Sequence, residues 1–343
     1  MANQLVCNNY NKNYQFLIRP FEFLSTWRDL PAYELTSYIL MFASVPMLAY
    51  GIKPYNLEIL RIIILTVITL YSGFFAVLIW NDITDADIDT IVHPDRPIPS
   101  GKISKKKFFA IALVFSAMTL IFGLLTSIWG LIIVGLAALF VAFHNKYLKK
   151  MIKFPAYSEI FTPIQWTVVA IFGFFAIWTA LPQSNEIIIS LPIFSCISTS
   201  GSEIQILILL VAFTYFADNA HDLPEGIRDY EGDLKQGVKT YATSFGLKNT
   251  SIISFTMFFI SGLLGILIFI KTVLSPIFMI FFILLWFYIM TYYYKLLRAD
   301  DKKKIDIAPI VGRKVYDYFL MSYNLIFFAI IVHLILFYYN ITI

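Results

Sequence analysis

The chain has 343 residues, of which 59% are hydrophobic, 17% aromatic and 14% charged, and its formal net charge is +4. A soluble domain carries about 25% charged residues, so this composition excludes a soluble enzyme, a disordered regulator and a nucleic-acid-binding protein of the usual basic-patch kind. We therefore expect a polytopic membrane protein.

Apolar segments long enough to cross a membrane follow one another along the chain. The first 30 residues contain no continuous apolar core, so we predict no cleavable signal peptide and expect the first span to direct insertion. A span needs about 20 apolar residues. Residues 186–197 are apolar but short, and we predict an interfacial loop there, with half of a re-entrant hairpin as the alternative. The nine predicted spans lie near residues 33–51, 57–80, 107–126, 128–144, 160–180, 204–218, 251–270, 274–294 and 316–340.

The positions of Lys and Arg predict the topology. Of the 26 such residues, 23 lie in the amino-terminal tail and in the second, fourth, sixth and eighth loops. Positive charge accumulates in short cytoplasmic loops, so we expect a cytoplasmic amino terminus and an outer carboxyl terminus. Cys7 and Cys196 then lie on opposite sides, and we expect neither a disulfide nor a cysteine metal site. We predict a single transmembrane domain, residues 1–343, in the cell membrane.

Half of the 22 acidic residues lie in two short segments, 82–95 and 218–233, each of which follows a predicted span on the cytoplasmic side. Carboxylates near membrane depth are costly, so their concentration at two span ends indicates a cation site. Asp82, Asp85 and Asp89 share one helical face if the second span continues as a helix.

The second segment repeats this spacing. Asp222, Asp229 and Asp233 fall on nearly one helical face, although Pro224 and Gly226 make an unbroken helix doubtful. Mg²⁺ prefers a few carboxylates together with waters and phosphate oxygens, so the two segments suit a diphosphate held by bridging Mg²⁺. The alternative for each segment is an ordinary solvated helix face. Basic side chains that could complete neutralisation of the diphosphate are Arg96, Lys149, Arg228, Lys239 and Arg19.

Both acidic segments resemble signatures of one family. Residues 81–101 read NDITDADIDTIVHPDRPIPSG and residues 222–240 read DLPEGIRDYEGDLKQGVKT. They are similar to the first and second signatures of the UbiA superfamily of intramembrane prenyltransferases, in the correct order and topology. The resemblance covers nearly the whole chain. It implies an all-α bundle of nine transmembrane helices that opens laterally to lipid and binds an isoprenyl diphosphate beneath the cytoplasmic loops.

The resemblance also implies roles for individual residues. Asp85 and Asp229 are expected to be essential for catalysis, and Arg96 and Lys149 to contact the diphosphate. A tyrosine usually precedes that lysine in the family, whereas His144 stands here, and its role stays open. The implied Mg²⁺ site comprises Asn81, Asp85, Asp89, Asp229 and Asp233, with Asp82 and Asp222 close by.

The acceptor is less strongly indicated. The segment PDRPIPSGKIS and the Glu-Gly-Asp step are most similar to the digeranylgeranylglyceryl phosphate synthase and chlorophyll synthase branch. We expect a hydrophobic acceptor taken from the membrane, first an isoprenyl glycerol phosphate and second an aromatic molecule. Residues 154–160 depart from the Gly-Asn step of these relatives, and Glu159 is either an acceptor-site residue or an interface residue at a span end.

Three other classes of membrane protein share part of this pattern. A terpene cyclase on the same scaffold would keep both acidic segments and need no acceptor. A cation transporter would need carboxylates near the bilayer midplane, where the spans between the two segments carry almost no charge. A CDP-alcohol phosphotransferase would need an Asp-Gly-x-x-Ala-Arg core, which the sequence lacks. We expect no nucleic-acid partner, and the sequence makes no prediction of oligomeric state.

Overall fold

The computed structural model describes residues 30–92, 94–148, 151–152, 154–180, 187–191 and 194–339. It is built almost entirely of helices, which satisfy their own backbone hydrogen bonds in lipid. A π-helical turn, His144–Leu148, follows the fifth helix. In chain order the helices are α1 (Ala32–Tyr50), α2 (Leu57–Thr84), α3 (Ala86–Val92), α4 (Lys105–Thr126), α5 (Ile128–Phe143), α6 (Tyr157–Phe161), α7 (Ile164–Ala180), α8 (Gly201–Arg228), α9 (Tyr230–Gln236), α10 (Tyr241–Phe245), α11 (Leu247–Lys271), α12 (Pro276–Arg298) and α13 (Asp301–Tyr338).

Among the described residues, eight helices are long and apolar enough to cross a membrane, with α7 counted from Glu159. Helix α5 is also apolar but has 16 residues. At 1.5 Å per residue it is about 24 Å long, which is shorter than the hydrocarbon core of about 30 Å. A multi-pass helical protein is therefore established, while the count of nine spans and the cytoplasmic amino terminus stay predictions.

The apolar segment between α7 and α8 contains strands. Ile187–Leu191 (β1) pairs antiparallel with Phe194–Thr199 (β2), with Ile187 opposite Thr199. Strand β2 packs against α5 and α7. The interfacial position predicted for this segment stays a prediction.

Two predicted boundaries are wrong. The sequence predicts that the sixth span ends near residue 218, but α8 continues to Arg228 with Pro224 inside the helix. It also predicts a loop from 295 to 315, but α13 begins at Asp301 and continues through Pro309. Consequently much of the second acidic segment lies on a membrane helix and is less exposed than a loop would be.

Neighbouring helices explain why α8 tolerates its proline. Pro224 has no N–H, so the carbonyl of Ala220 loses its helical partner. The Ser254 hydroxyl of α11 and the Tyr293 hydroxyl of α12 each lie 3.0 Å from that carbonyl oxygen and 2.8 Å from one another. Such replacement partners allow a proline inside a membrane helix. The two hydroxyls thereby stabilise the part of α8 that carries Asp222.

We expect the double substitution Ser254→Ala with Tyr293→Phe to lower the free energy of unfolding by about 1–3 kcal/mol, because the Ala220 carbonyl then has no donor. Each single substitution should cost less, since one hydroxyl remains. Denaturant titration in detergent would measure this effect, with Tyr294→Phe as the control because Tyr294 is 55% exposed. A double variant as stable as the single variants would contradict this role of the hydroxyls.

Close helix packing supports the same region. Helix α8 packs against α7, α11 and α13, and α13 packs against α1. On α11, Gly262 and Gly265 leave the space that Trp286 and Phe282 of α12 occupy, so a Cβ at either glycine would overlap these rings. Helix α8 is thus held by three neighbouring helices.

Candidate active site

The first acidic segment lies where α2 meets α3. Asp85 separates the two helices, but its N–H donates to Asn81 O at 2.9 Å and its carbonyl accepts from Asp89 N–H at 2.8 Å. These bonds keep helical spacing across the joint, so Asp82, Asp85 and Asp89 follow one another at intervals of about one turn. Asp82 and Asp89 are buried, Asn81 and Asp85 are half-buried, and Asp87 is exposed.

The turn after α3 returns a guanidinium to these carboxylates. Ser100 N–H donates to Arg96 O, and Gly101 at φ 73° closes the turn. Arg96 Nη1 lies 2.8 Å from both carboxylate oxygens of Asp89 and 3.7 Å from Asp82 Oδ1. Asp82 and Asp89 are 1% and 3% exposed, so this pairing takes place in a poorly solvated site. Arg96 therefore neutralises part of the first acidic segment.

The second acidic segment repeats this arrangement where α8 meets α9. Arg228 pairs in a bidentate manner with Asp229, Nε to Oδ1 at 2.7 Å and Nη2 to Oδ2 at 2.6 Å. It also lies 3.9 Å from Glu225. Asp229 O accepts from Asp233 N–H at 3.0 Å, so helical spacing continues across this joint too. Asp229 is much more exposed than Asp89, whereas Arg228 is only moderately more exposed than Arg96.

The same face of α8 carries acidic groups deeper in the bundle. Asp218 and Asp222 are one turn apart, and Asp218 is 1% exposed. Asp218 Oδ2, Asp222 Oδ2 and both side-chain amide atoms of Asn219 are buried without a hydrogen-bond partner among the described residues. Buried polar groups normally have partners, so these orphaned atoms indicate a ligand or water that binds here.

Glu159 approaches this face from α6. Its side chain is 7% exposed, and Oε2 accepts a hydrogen bond from the backbone N–H of Tyr241, the first residue of α10. The carboxylate lies close enough to Asp222 and Asp233 to interact electrostatically with both. Gly226 provides the space for it, because a Cβ there would overlap Glu159 Oε1. Burial raises the pKa of the Tyr241 phenol to about 12, so that side chain adds no charge near pH 7.

The remaining predicted residues are three basic side chains and His144. Lys239 is exposed in the segment between α9 and α10. Lys149 and Arg19 lie outside the described residues. His144, whose role the sequence leaves open, is 3% exposed, and its Nδ1 lies 3.3 Å from the hydroxyl of Tyr157. A tyrosine hydroxyl therefore lies beside His144, but it belongs to Tyr157 on α6 and not to position 144 itself.

The carboxylates are suited to Mg²⁺, but they do not form a complete cage. Within the ranges that the structure describes, no three His, Cys, Asp or Glu side chains lie close enough to hold one ion. The donors are hard oxygen atoms, and Asp218 and Asp222 each have an unpartnered buried oxygen. Mg²⁺ is commonly bound by one or two carboxylates with waters and substrate phosphates, so the residues present fit this ion.

Asp218 and His221 lie in the second acidic segment but outside the family signature, and Glu159 reaches that segment from elsewhere in the chain. Asp218 precedes Asp222 by four residues, a spacing that could have marked it as part of the same face. His221 Nε2 lies 3.8 Å from Asp222 Oδ1, and its Nδ1 lies 3.2 Å from Gly312 O, to which it donates in the tautomer protonated at Nδ1. Glu159 is brought in by a contact between residues 82 positions apart, which no local pattern indicates.

Comparison with known proteins identifies relatives. The UbiA prenyltransferase family model matches residues 39–321. A digeranylgeranylglyceryl phosphate synthase from Sulfolobus acidocaldarius is 28% identical over 55% of this chain and 57% of its own length. The matched region is thus little more than half of that relative.

Solved structures share the fold. A UbiA homologue from Aeropyrum pernix K1 superposes with a TM-score of 0.61 at 18% identity, covering 82% of this chain and 97% of its own. A UbiA homologue from Archaeoglobus fulgidus, bound to DMAPP and Mg²⁺, gives a TM-score of 0.52 at 15% identity and covers 88% and 99%. These likenesses extend over most of both chains.

Proposed function

Because the chain belongs to the UbiA prenyltransferase family, we propose that it is a Mg²⁺-dependent intramembrane prenyltransferase. It moves a prenyl group from an isoprenyl diphosphate to a lipid-soluble acceptor. The observation that carries this proposal is the pair of acidic segments at the ends of α2 and α8, both inside the region that matches the family.

The proposed site uses both segments to hold the donor diphosphate. Mg²⁺, when bound, would supply positive charge to the departing diphosphate. Asn81, Asp85 and Asp89 on the first segment and Asp229 and Asp233 on the second would hold the ions, with Asp82 and Asp222 supporting them. Cationic side chains would contact the diphosphate oxygens directly. These are Arg96, Arg228, Lys239, Lys149 and Arg19.

The pairs seen in the structure indicate how these arginines would act. Arg96 and Arg228 each bind a carboxylate of their own segment, which keeps the acidic groups from repelling one another before the donor arrives. A diphosphate with its cations would compete for both partners. Each guanidinium could then turn to a phosphate oxygen, where its planar donors bind in a bidentate manner. Catalysis would come from charge stabilisation and positioning, as the allylic carbon–oxygen bond ionises.

We propose an isoprenyl glycerol phosphate as the acceptor. The named relative from Sulfolobus acidocaldarius and the similarity of the first signature support this choice. An aromatic acceptor remains the second candidate, because residues 154–160 differ from those of the glycerol phosphate branch. A cyclase would use an internal double bond of the donor and release a hydrocarbon or terpene alcohol.

The proposed site faces the cytoplasm. Both segments lie on the side where Lys and Arg are concentrated, as the positive-inside rule requires for cytoplasmic loops. This topology includes α5 as a ninth span, lengthened by the π-helical turn that follows it. The protein would be a multi-pass component of the cell membrane that takes both substrates from the bilayer.

Product analysis tests the proposal. Purified protein would be incubated with Mg²⁺ and radiolabelled geranylgeranyl diphosphate, alone, with an isoprenyl glycerol phosphate, and with a phenolic acceptor. We expect labelled ether lipid with the glycerol phosphate only, and no product after chelation of divalent ions. A labelled phenolic product would favour the aromatic candidate. A hydrocarbon formed without acceptor would contradict the transferase and favour a cyclase.

A further inference from the structure

Glu159 reaches the second acidic segment from a separate part of the chain. It lies on the short helix α6, before α7, whereas the carboxylates around it belong to α8 and α9. Its side chain is almost fully buried. A buried carboxylate next to two other carboxylates is unfavourable, so its position there calls for an explanation.

The two oxygens of this carboxylate are not equivalent. Oε2 is held by the Tyr241 N–H. Oε1 lies in the space that Gly226 leaves open, and it makes no hydrogen bond or ion pair with the described residues. No arginine or lysine of the described chain pairs with it, in contrast to Asp89 and Asp229. One oxygen is thus fixed, and the other keeps its capacity to accept a hydrogen bond.

The Glu159 carboxyl accepts a hydrogen bond at Oε1 when it is ionised, and Mg²⁺ held by the neighbouring Asp222 and Asp233 would favour that form. The ionised group would repel a diphosphate that carries no cations. It would accept a charge-assisted hydrogen bond from a neutral hydroxyl. The position beside Asp222 and Asp233 places that hydroxyl next to the region where the donor diphosphate would be held.

We propose that Glu159 is an acceptor-binding residue, whose Oε1 accepts a hydrogen bond from the acceptor's hydroxyl and orients it toward the allylic carbon. This inference rests on the proposed transferase function and specifies the acceptor as a hydroxyl-bearing molecule, either an alcohol or a phenol. Tyr241 and Gly226 are positioning residues in this arrangement, because they fix the carboxylate and make room for it.

The substitution Glu159→Gln tests the proposal with little change of shape. The amide oxygen must accept from Tyr241 N–H, so the NH₂ group takes the place of Oε1 and offers a donor where an acceptor is needed. We expect kcat/KM for the acceptor to fall about 10- to 100-fold, as for loss of a hydrogen bond to a charged group. The Kd of geranylgeranyl thiolodiphosphate with Mg²⁺, measured by calorimetry without acceptor, should not change.

A second variant displaces the same carboxylate without altering it. In Gly226→Ala the new Cβ overlaps Oε1, so acceptor kcat/KM should fall in the same direction while donor Kd is retained. Gly232→Ala is the matched control, because no atom lies within 4 Å of its Cβ position and it belongs to the same acidic segment. Unchanged donor binding shows that each variant is folded.

The outcomes separate the two proposals. If the unsubstituted protein transfers the prenyl group and both Glu159→Gln and Gly226→Ala keep its acceptor kcat/KM, the role of Glu159 is wrong and the transferase stands. A weaker donor Kd with an unchanged acceptor KM would assign Glu159 to the donor site and overturn the proposal as well. Absence of transfer to any hydroxyl acceptor by the unsubstituted protein would contradict the proposed function itself.

Discussion

Asp85→Asn and Asp229→Asn are each expected to lower kcat for prenyl transfer by about 10²- to 10³-fold, the effect of removing one electrostatic contact to a developing charge. Each substitution keeps the size of the side chain and removes the negative charge that would hold Mg²⁺. Both residues lie at helix joints, where Asp85 is half-buried and Asp229 binds Arg228. Steady-state assays with saturating donor and acceptor would measure the loss.

The first segment supplies a matched control. Asp87 lies two residues from Asp85 but is exposed, so Asp87→Asn should change kcat by no more than about twofold, as for an ordinary surface substitution. Raising the Mg²⁺ concentration should recover part of the activity of Asp85→Asn if metal binding is what the carboxylate provides. Wild-type kcat in both Asp85→Asn and Asp229→Asn would exclude a site built from the two acidic segments.

The membrane helices could be predicted from the sequence because an apolar run of about 20 residues has few other stable forms in lipid. The predicted span 57–80 corresponds to α2, Leu57–Thr84, and 251–270 corresponds to α11, Leu247–Lys271. The end of α8 could not be predicted in this way. Pro224 is a local signal to stop, whereas the hydroxyls of Ser254 and Tyr293 that permit continuation lie on other helices.

In the candidate site too, local sequence predicts some features, whereas others depend on contacts between distant parts of the chain. Helical periodicity predicts that Asp82 and Asp89 share a face, and the structure directs both toward Arg96. The turn after α3 brings Arg96 back to these two carboxylates. This contact depends on tertiary geometry, which the sequence pattern does not contain. The position of Glu159 depends on a missing Cβ at Gly226 and on the backbone of Tyr241, two features that a side-chain pattern does not contain.

Arg96→Met is expected to destabilise the protein by about 3 kcal/mol in the absence of Mg²⁺, because it removes the ion-pair partner of the buried Asp89 carboxylate and takes positive charge away from the nearby Asp82. Asp82 and Asp89 are nearly inaccessible to water, so the solvent cannot replace the guanidinium. A divalent cation can replace the guanidinium. Because Mg²⁺ would bind the folded state in preference to the unfolded state, it should raise the unfolding temperature of the variant more than that of the unsubstituted protein. Thermal unfolding in detergent, with and without Mg²⁺, would measure both effects.

Arg228→Met separates this explanation from a general loss of positive charge. Arg228 pairs with Asp229 and Glu225, whose side chains are 43% and 45% exposed, so water compensates when the arginine is removed. We expect a loss below about 1 kcal/mol, as for other exposed ion pairs. Equal destabilisation by the two substitutions would show that burial of Asp82 and Asp89 is not the cause. A larger loss for Arg96→Met that Mg²⁺ reverses would indicate that Arg96 occupies the position of a cation until the donor brings one, which links the folding of this turn to substrate binding.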